Sequence, residues 1–382
     1  MRKPTLAALA LTLAACGGAG NAPAGAQTEA GEAEAGASFV KTQVADFDAP
    51  WAMAALPSGE LLVTEKAGAL KLLSADGKTV TAVAGAPTVD SAGQGGLMDV
   101  VLAPDFATSK RLYLSWAAAG DGGKGVVLGS ATLEQGSEPR IMNLRTLFRA
   151  SPLMKGDGHY SGRIAFSPDG RYLFFTAGER QEFTPAQDSK ATLGKVLRLN
   201  LDGSAAAGNP LAAKGFHPAV WSYGHRNFLG IAFDDKGRLW EQEMGPKGGD
   251  EINLIVAGRN YGWPNVSNGS HYDGRDIPDH APGDGYEAPR VWWNPSISPG
   301  GLLYYTGAMF PAWKGSLFMG GLSGKALIRV ALDGETARKA DQWDMGTRIR
   351  DVEQAPDGTL WVLEDGGRGA DGRLWRLTPP KG

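Results

Sequence analysis

A short sequence motif recurs along the chain: a turn, most often built on Asp-Gly or Ser-Gly, followed by a short strand whose residues are all apolar or alternate between apolar and polar. Four copies occupy residues 57–64, 168–175, 235–240 and 356–363, and two looser copies occupy residues 109–114 and 313–318. One such turn marks any hairpin, but six of them at intervals of roughly fifty to seventy residues indicate a repeated structural unit.

This repeat predicts an all-β fold, a six-bladed β-propeller. A hairpin cannot bury both of its faces, whereas a ring of small four-stranded sheets can, and the ring leaves only short edges. The alternative, one or two large β-sandwiches, calls for shorter and more even strand spacing. No sustained 3.6-residue periodicity follows the N-terminus, so helices should be few. Residues 374–377 and 39–44 are the candidate strands that close the ring from the two ends of the chain.

The N-terminus has the pattern of an export signal: a charged start, the apolar run 6–13 and small residues before Cys16. The apolar run is too short to span a bilayer as a permanent helix. Residues 13–16 resemble a bacterial lipobox, and the alternative is a plain secretory signal with an incidental cysteine. The lipid anchor is favoured because Cys16 is the only cysteine and cannot form an internal disulfide.

The chain therefore divides into three predicted parts. Residues 1–16 form the lipoprotein signal peptide that ends at the lipidated cysteine, and residues 17–37 form a flexible linker of Ala, Gly and Glu. Residues 38–380 form the propeller. The predicted location is the periplasm, with the lipid anchored in a bacterial membrane, the outer membrane being favoured. A net charge of -3, without a cluster of Lys and Arg, argues against nucleic acid as a partner.

Four segments place polar groups where a plain hairpin does not need them. Gln94 stands among three glycines, and His159 lies in a glycine-rich loop that enters a strand. Neutral imidazole is suited to accept a proton near pH 7, although a lone histidine is more often structural. Arg348 and Arg350 alternate on one strand face, as a fork for carboxylates or as solvated surface groups.

The fourth segment, residues 245–261, combines a turn rich in backbone carbonyls with carboxylates, which suits a hard, oxygen-seeking cation such as Ca²⁺, although the spacing alone is a weak signal and is not that of an EF-hand. Farther along, Trp292 and Trp293 either stack on a ligand or fill a blade, and packing is the favoured interpretation.

Taken together, these segments resemble the soluble sugar dehydrogenases that depend on pyrroloquinoline quinone (PQQ), the aldose sugar dehydrogenase and glucose/sorbosone dehydrogenase group. The resemblance runs from about Phe39 to Leu377 and implies a six-bladed propeller, reached independently above. It rests on motifs in the same order: residues 50–53, 93–97, 159–163, 222–227, 245–264 and 348–352.

The resemblance also implies a chemistry, PQQ-dependent oxidation of an aldose at C1 to the lactone. It implies that His159 is the general base that deprotonates the C1 hydroxyl while hydride passes to the quinone. The residues implied to bind the quinone are Gln94, Arg226, Asn227, Ser323, Arg348 and Arg350. The resemblance implies that the carbonyls of Gly245 and Pro246 hold a Ca²⁺ beside the cofactor, and that Glu251 and Tyr261 hold a second, structural Ca²⁺.

The sequence departs from the family pattern at three positions. Gly158 replaces an aspartate that precedes the base in some members, so the base is expected to lack an orienting neighbour. Met244 stands where Gln or His is common, and Ser323 stands where glucose enzymes place a lysine. The expected partners are an aldose and an unidentified electron acceptor. The alternatives are a propeller that binds sugars or a protein without redox chemistry, and, less favoured, a Ca²⁺-dependent lactone hydrolase.

Overall fold

The computed structural model describes residues 39–366 and 372–380, and these are almost entirely strands and turns. Six four-stranded antiparallel sheets form the ring, which confirms the predicted six-bladed propeller. The predictions for residues 1–37, including the lipidated Cys16, lie outside the described residues. No helix within the described ranges is long and apolar enough to cross a membrane.

Each blade is a meander of four strands. Blade 1 contains β2 (Pro50–Ala55), β3 (Leu61–Glu65), β4 (Leu70–Leu73) and β5 (Val80–Val83). Blade 2 contains β6 (Leu97–Leu102), β7 (Arg111–Gly120), β8 (Gly123–Glu134) and β9 (Arg140–Arg149). Blade 3 contains β10 (Ser161–Phe166), β11 (Tyr172–Ala177), β12 (Lys195–Asn200) and β13 (Val220–Tyr223).

Blade 4 contains β14 (Phe228–Phe233), β15 (Leu239–Glu243), β17 (Asp250–Ile255) and β19 (Val291–Trp293). A separate ribbon of β16 (Lys247–Gly248) and β18 (Gly269–Ser270) projects from it. Blade 5 contains β20 (Pro299–Tyr304), β21 (Ser316–Gly321), β22 (Ala326–Asp333) and β23 (Thr336–Asp344). Blade 6 contains β24 (Ile349–Gln354), β25 (Leu360–Glu364), β26 (Gly372–Thr378) and β1 (Val40–Phe47).

The helical segments in the described residues are one turn each. They are α1 (Phe106–Ser109) and the 3₁₀ turns Thr184–Ala186, Ala212–Lys214 and Pro311–Trp313. The predicted scarcity of helix is confirmed.

Both ends of the chain build the last blade. β1 pairs antiparallel with β26, from Val40 opposite Thr378 to Phe47 opposite Gly372. The ring is therefore closed by backbone hydrogen bonds between the first and last strands, and the predicted closing pair is confirmed.

The repeated turn is stabilised by hydrogen bonds to an aspartate of the turn itself, as blade 4 shows. Asp234 Oδ1 accepts hydrogen bonds from the backbone N–H of Lys236 and of Arg238, both at 2.9 Å. Oδ2 accepts from the indole of Trp240 at 3.0 Å. Gly237 takes φ +77°, a conformation that glycine adopts without steric cost. The turn thereby fixes the register in which Phe233 faces Leu239.

One buried arginine ties the blades together at the axis. The inner strands β2, β6, β10, β14, β20 and β24 surround the axis, and Arg163 projects from β10. Its Nε donates to the carbonyl of Leu229 at 2.7 Å. Its two terminal nitrogens form ion pairs with Asp99 at 3.1 Å and Asp351 at 3.0 Å. The guanidinium also stacks 4.1 Å from the ring centroid of Trp51.

These partners belong to blades 4, 2, 6 and 1, and blade 5 approaches through a glycine. A Cβ at Gly301, which has φ +56°, would lie 2.2 Å from Asp351 Oδ1. Asp351 Oδ2 also accepts from the backbone N–H of Met53 at 2.9 Å. All six blades therefore meet around one charged group.

We expect Arg163→Leu to lower the free energy of unfolding by about 3–5 kcal/mol, because it leaves Asp99 and Asp351 buried without a counter-charge. Urea unfolding measures the change. The matched control is Arg171→Leu, whose side chain is 70% exposed, and we expect it to change stability by less than about 0.5 kcal/mol. Equal losses in both variants would contradict the central role of Arg163.

Candidate active site

The polar residues singled out from the sequence lie at one end of the ring, because inner strands run in the same direction in every blade. Six of them lie just before inner strands β6, β10, β14 and β24 or near the start of one: Gln94, His159, Arg226, Asn227, Arg348 and, as the second residue of β24, Arg350. Second strands are antiparallel to these and end at the same rim, which adds Glu179, Gly245, Ser323 and Asp365 after β11, β15, β21 and β25.

His159 is held from two sides. Its backbone N–H donates to Gln94 Oε1 at 2.7 Å, so these two predicted residues are in direct contact. Its ring Nδ1 makes a short hydrogen bond to Glu179 Oε1. Glu179 is 1% exposed, and its other oxygen accepts from the backbone N–H of Phe183 at 2.9 Å. The expectation that the histidine lacks an orienting neighbour is therefore wrong, since Glu179 takes that place.

The pairing fixes the chemistry of the imidazole. Burial lowers the pKa of His159 below its ordinary value, although the hydrogen bond to Glu179 acts in the opposite direction. Burial by itself raises the pKa of Glu179, but the hydrogen bond to His159 lowers it overall. A carboxylate can only accept, so neutral His159 carries its proton on Nδ1 and keeps the Nε2 lone pair free.

The backbone around His159 and Glu179 contains several residues with positive φ angles. His159, Ser161, Arg180, Gln181 and Phe183 all have φ between +47° and +65°, which side-chain-bearing residues rarely adopt. Such conformations cost free energy and collect at functional sites.

Two glycines permit the close approach of these segments. A Cβ at Gly178 would lie 2.2 Å from the carbonyl oxygen of His159. A Cβ at Gly158 would lie 2.2 Å from the side-chain oxygen of Gln181. The Gln181 side chain is exposed and flexible, so this second contact does not by itself require glycine at position 158.

Arg226 and Asn227 enter the rim from blade 4. Arg226 Nη1 donates to the carbonyls of Met244 and Gly245 at 2.9 and 2.8 Å, and its Nε has no partner among the described residues. Asn227 Oδ1 accepts from Ser161 Oγ at 3.2 Å, and its amide nitrogen lies 3.8 Å from Met244 Sδ. Arg226 thus carries a buried guanidinium with donor capacity to spare.

The predicted arginine fork is present and shares a carboxylate. Arg348 Nε donates to Asp365 Oδ2, and Arg350 Nε donates to Asp365 Oδ1, both at 2.7 Å. Asp365 neutralises one of the two positive charges. The pair therefore retains net positive charge and N–H groups for a further anionic ligand.

Ser323 lies across the rim in blade 5. Its Oγ donates to the carbonyl of Ser296 at 3.1 Å and contacts Ser298 Oγ at 2.9 Å. It brings a hydroxyl and no charge to this part of the rim.

Behind Arg226 lies a buried group of three carboxylates: Glu241, Glu243 and Glu251. No Lys or Arg side chain among the described residues forms an ion pair with them. Asn253 Nδ2 donates to Glu241 at 2.8 Å, and His225 Nδ1 pairs with Glu243 at 3.0 Å. Burial first, and then the charge of Glu243, raise the pKa of Glu241 and of Glu251 well above the ordinary value. This excess of buried negative charge is what a hard dication would neutralise.

The geometry beside these carboxylates fits a cation. A cavity of about 10 Å³ is lined by Glu243, Gly245, Glu251 and Tyr261, with Arg226 also on its wall, and holds one particle of the size of a water. The Tyr261 hydroxyl is already engaged, since it donates to Leu254 O at 2.6 Å and accepts from Val256 N at 2.8 Å. Only the Tyr261 backbone carbonyl remains to face a cation, and Pro246 is buried in the same turn as Gly245.

The residues missed from the sequence are all carboxylates of second strands: Glu179, Glu243 and Asp365 lie at or just after the end of such a strand, and Glu241 lies inside β15. Their common position was a usable signal. A polar residue that directly ends a second strand reaches the same rim as the residues that begin the inner strands.

The chain belongs to the Glucose / Sorbosone dehydrogenase family, whose model matches residues 47–376. It is 40% identical over 343 residues to aldose sugar dehydrogenase YliI of Escherichia coli K12, which covers 87% of this chain and 91% of that protein. The apo-form crystal structure of the soluble E. coli aldose sugar dehydrogenase is similar with a TM-score of 0.84 at 38% identity, over 90% of this chain and 100% of that one.

A second solved structure bears on the ligand. The PQQ-bound form of aldose sugar dehydrogenase from Streptomyces coelicolor matches 90% of this chain and 99% of its own at 33% identity, with a TM-score of 0.73. The expected family is confirmed, and with it an oxidoreductase.

The geometry predicts the titration of His159. We expect its pKa to lie below 6.5, because burial disfavours the imidazolium. Glu179→Gln should lower it further, because the neutral amide stabilises the imidazolium less than the carboxylate does. Imidazole NMR resonances followed against pH measure both values. Exposed Glu182→Gln is the control and should leave the titration unchanged. A pKa above 6.5, or equal shifts in both variants, would contradict the pairing.

Proposed function

We propose that the protein oxidises aldoses at C1 to the lactone with PQQ as the acceptor of hydride, and that Ca²⁺ takes part. The observation that carries the proposal is the buried pair of His159 and Glu179, set on the same rim as three arginines. A module that only binds sugars has no need of an oriented base beside a cradle of positive charge.

His159 is the base of the proposed reaction. Its Nε2 takes the proton of the C1 hydroxyl, and the buried carboxylate of Glu179 stabilises the imidazolium that results. The aldose gives up this proton and a hydride, so two electrons leave the sugar. Gln94 uses its side-chain oxygen to hold the His159 backbone, which directs its amide N–H groups toward the ligand side.

The rim fits a tricarboxylate quinone. Arg226, Arg348 and Arg350 place guanidinium groups from blades 4 and 6 around one opening, and only Asp365 opposes the last two. Asn227 and Ser323 add neutral hydrogen-bonding groups. When bound, PQQ would supply the carbonyl that accepts hydride, and Ca²⁺ held by the carbonyls of Gly245 and Pro246 would polarise it.

A second Ca²⁺ is proposed at the cavity beside Glu251 and Tyr261. There Glu243 and Glu251, which line the cavity, would neutralise the ion, and the ion would offset their repulsion with Glu241. Its role is structural, since it would fix β15 and β17, which carry the Gly245 turn.

Export and lipidation at Cys16 complete the proposal, with the protein in the periplasm on an outer-membrane anchor. They rest on residues 1–16 of the sequence alone.

The proposal is tested by dye reduction with protein that begins at Ser38. We expect activity with glucose or another aldose only after both PQQ and Ca²⁺ are added. His159→Ala should reduce kcat by about 10²–10⁴-fold, because it removes the base. Exposed Glu182→Gln is the control and should keep full activity. No turnover with a broad aldose panel, and no change in PQQ absorbance, would support the sugar-binding or partner-binding propeller instead.

The structural cation is tested by thermal unfolding of the cofactor-free protein. We expect millimolar Ca²⁺ to raise the midpoint by a few degrees, since a ligand that binds only the folded state stabilises it by about 2–4 kcal/mol well above its Kd. EGTA should reverse the rise. Glu251→Gln should abolish it, whereas exposed Glu138→Gln should keep it. The same rise in both variants would place the cation elsewhere.

A further inference from the structure

An open concave space of about 580 Å³ lies beside the β16–β18 ribbon and shares no residue with the candidate active site. One wall is the outermost strand of blade 4 with Trp292 and the residue after it, Asn294. The other wall is the ribbon and the loop that follows it. The side chains that matter are Asn268, Ser270, Asp276, Asp279, Trp292 and Asn294.

Four of these side chains lack protein partners. Within the described chain, Asp276, Asp279 and Asn294 make no side-chain hydrogen bond or ion pair, and the half-buried ring of Trp292 has no aromatic or cationic neighbour. Other aspartates of the same loop are satisfied: Asp273 pairs with Arg275 at 2.8 Å. Asp276, Asp279 and Asn294 are exposed, so the space is lined by solvated polar groups that no other group in the described ranges engages.

The walls are fixed in place. Ile277, between the two free aspartates, is 6% exposed and packs with Trp263 and Ala186. On the opposite wall, Asp250 accepts from the backbone N–H of Ile297 and of Ser298, both at 2.7 Å, which holds the segment that follows Asn294. The backbone on both walls is thereby fixed, so a ligand has to order only the exposed side chains themselves.

The chemistry of the lining selects the ligand. No Lys, Arg or His lines the space, so an anion has no counter-charge there. An indole face takes an apolar ring surface, and carboxylate and carboxamide groups take pairs of neighbouring hydroxyls. A pyranose has both features: C–H groups on one face and hydroxyls along its edge. The volume is within the range of small-molecule sites.

We propose that this space is a binding site for a neutral saccharide, with one pyranose ring on Trp292 and its hydroxyls on Asp276, Asp279 and Asn294. The sugar is bound here and does not react. The inference does not depend on the proposed redox function, because none of these residues belongs to the rim of His159 and Arg226.

The test is a maltose titration of the cofactor-free protein, followed by the indole N–H resonances in NMR. The Trp292 resonance is assigned by its absence in Trp292→Phe. We expect maltose to move it saturably, with a Kd in the millimolar range. Trp292→Ala should weaken binding by about tenfold or more, through loss of the stacking surface.

Polar recognition is tested by Asp276→Asn combined with Asp279→Asn, which should weaken maltose binding at least about fivefold because charge-assisted hydrogen bonds are lost. Asp273→Asn, in the same loop but paired with Arg275, is the matched control and should bind with unchanged affinity. His159→Ala should also bind unchanged, which separates this site from the candidate active site.

Three outcomes would overturn the proposal. The Trp292 resonance stays in place at high maltose, or Trp292→Ala binds with the affinity of the parent protein. In the third, Ca²⁺ instead of maltose moves the resonance and the double aspartate variant abolishes that shift, which would make the space a cation site. Thermal unfolding confirms that each variant is folded.

Discussion

The guanidinium of Arg163 is the point on which the propeller depends. A charge at the axis of a ring is tolerated only if its partners are in place, and these partners come from separate blades. The angle between blades is thereby set by electrostatics as well as by apolar packing. The same strands carry the rim: His159 lies four residues before Arg163, and Arg350 directly precedes Asp351. The contacts at the axis therefore help to set the positions of the rim residues.

Much of the fold was predictable from the sequence because the signals are local and repeated. Turns such as the one at Asp234 carry their own hydrogen-bond acceptors and their own glycine, so each copy identifies one hairpin without knowledge of the rest. Closure by β1 and β26 was predictable since a ring must join its ends. The role of Arg163 was not, because its partners lie 64 and 188 residues away and only the closed ring brings them together.

The candidate site likewise contains residues that the sequence predicts and residues that only the fold reveals. His159, Gln94 and the Arg348–Arg350 pair stand out in sequence because polar groups at glycine-rich loops or at strand starts are unusual. Glu179 does not stand out, since a carboxylate after an apolar strand is ordinary until the fold places it against His159. The carboxylates behind Arg226 likewise give no recognisable signal in the sequence. The pKa values of Glu241 and Glu251 are raised only because β15 and β17 bury these carboxylates together.

The strand pairing that closes the ring also decides which way the molecule faces. β1 runs toward the rim that carries His159, so its first residue, Val40, lies beside Thr378 at the opposite end of the last blade. Whatever is joined ahead of β1 or behind β26 is therefore attached to the far side of the disc. Immobilising the protein on a surface through either end would turn the rim outward and leave it open to solutes from the solution side.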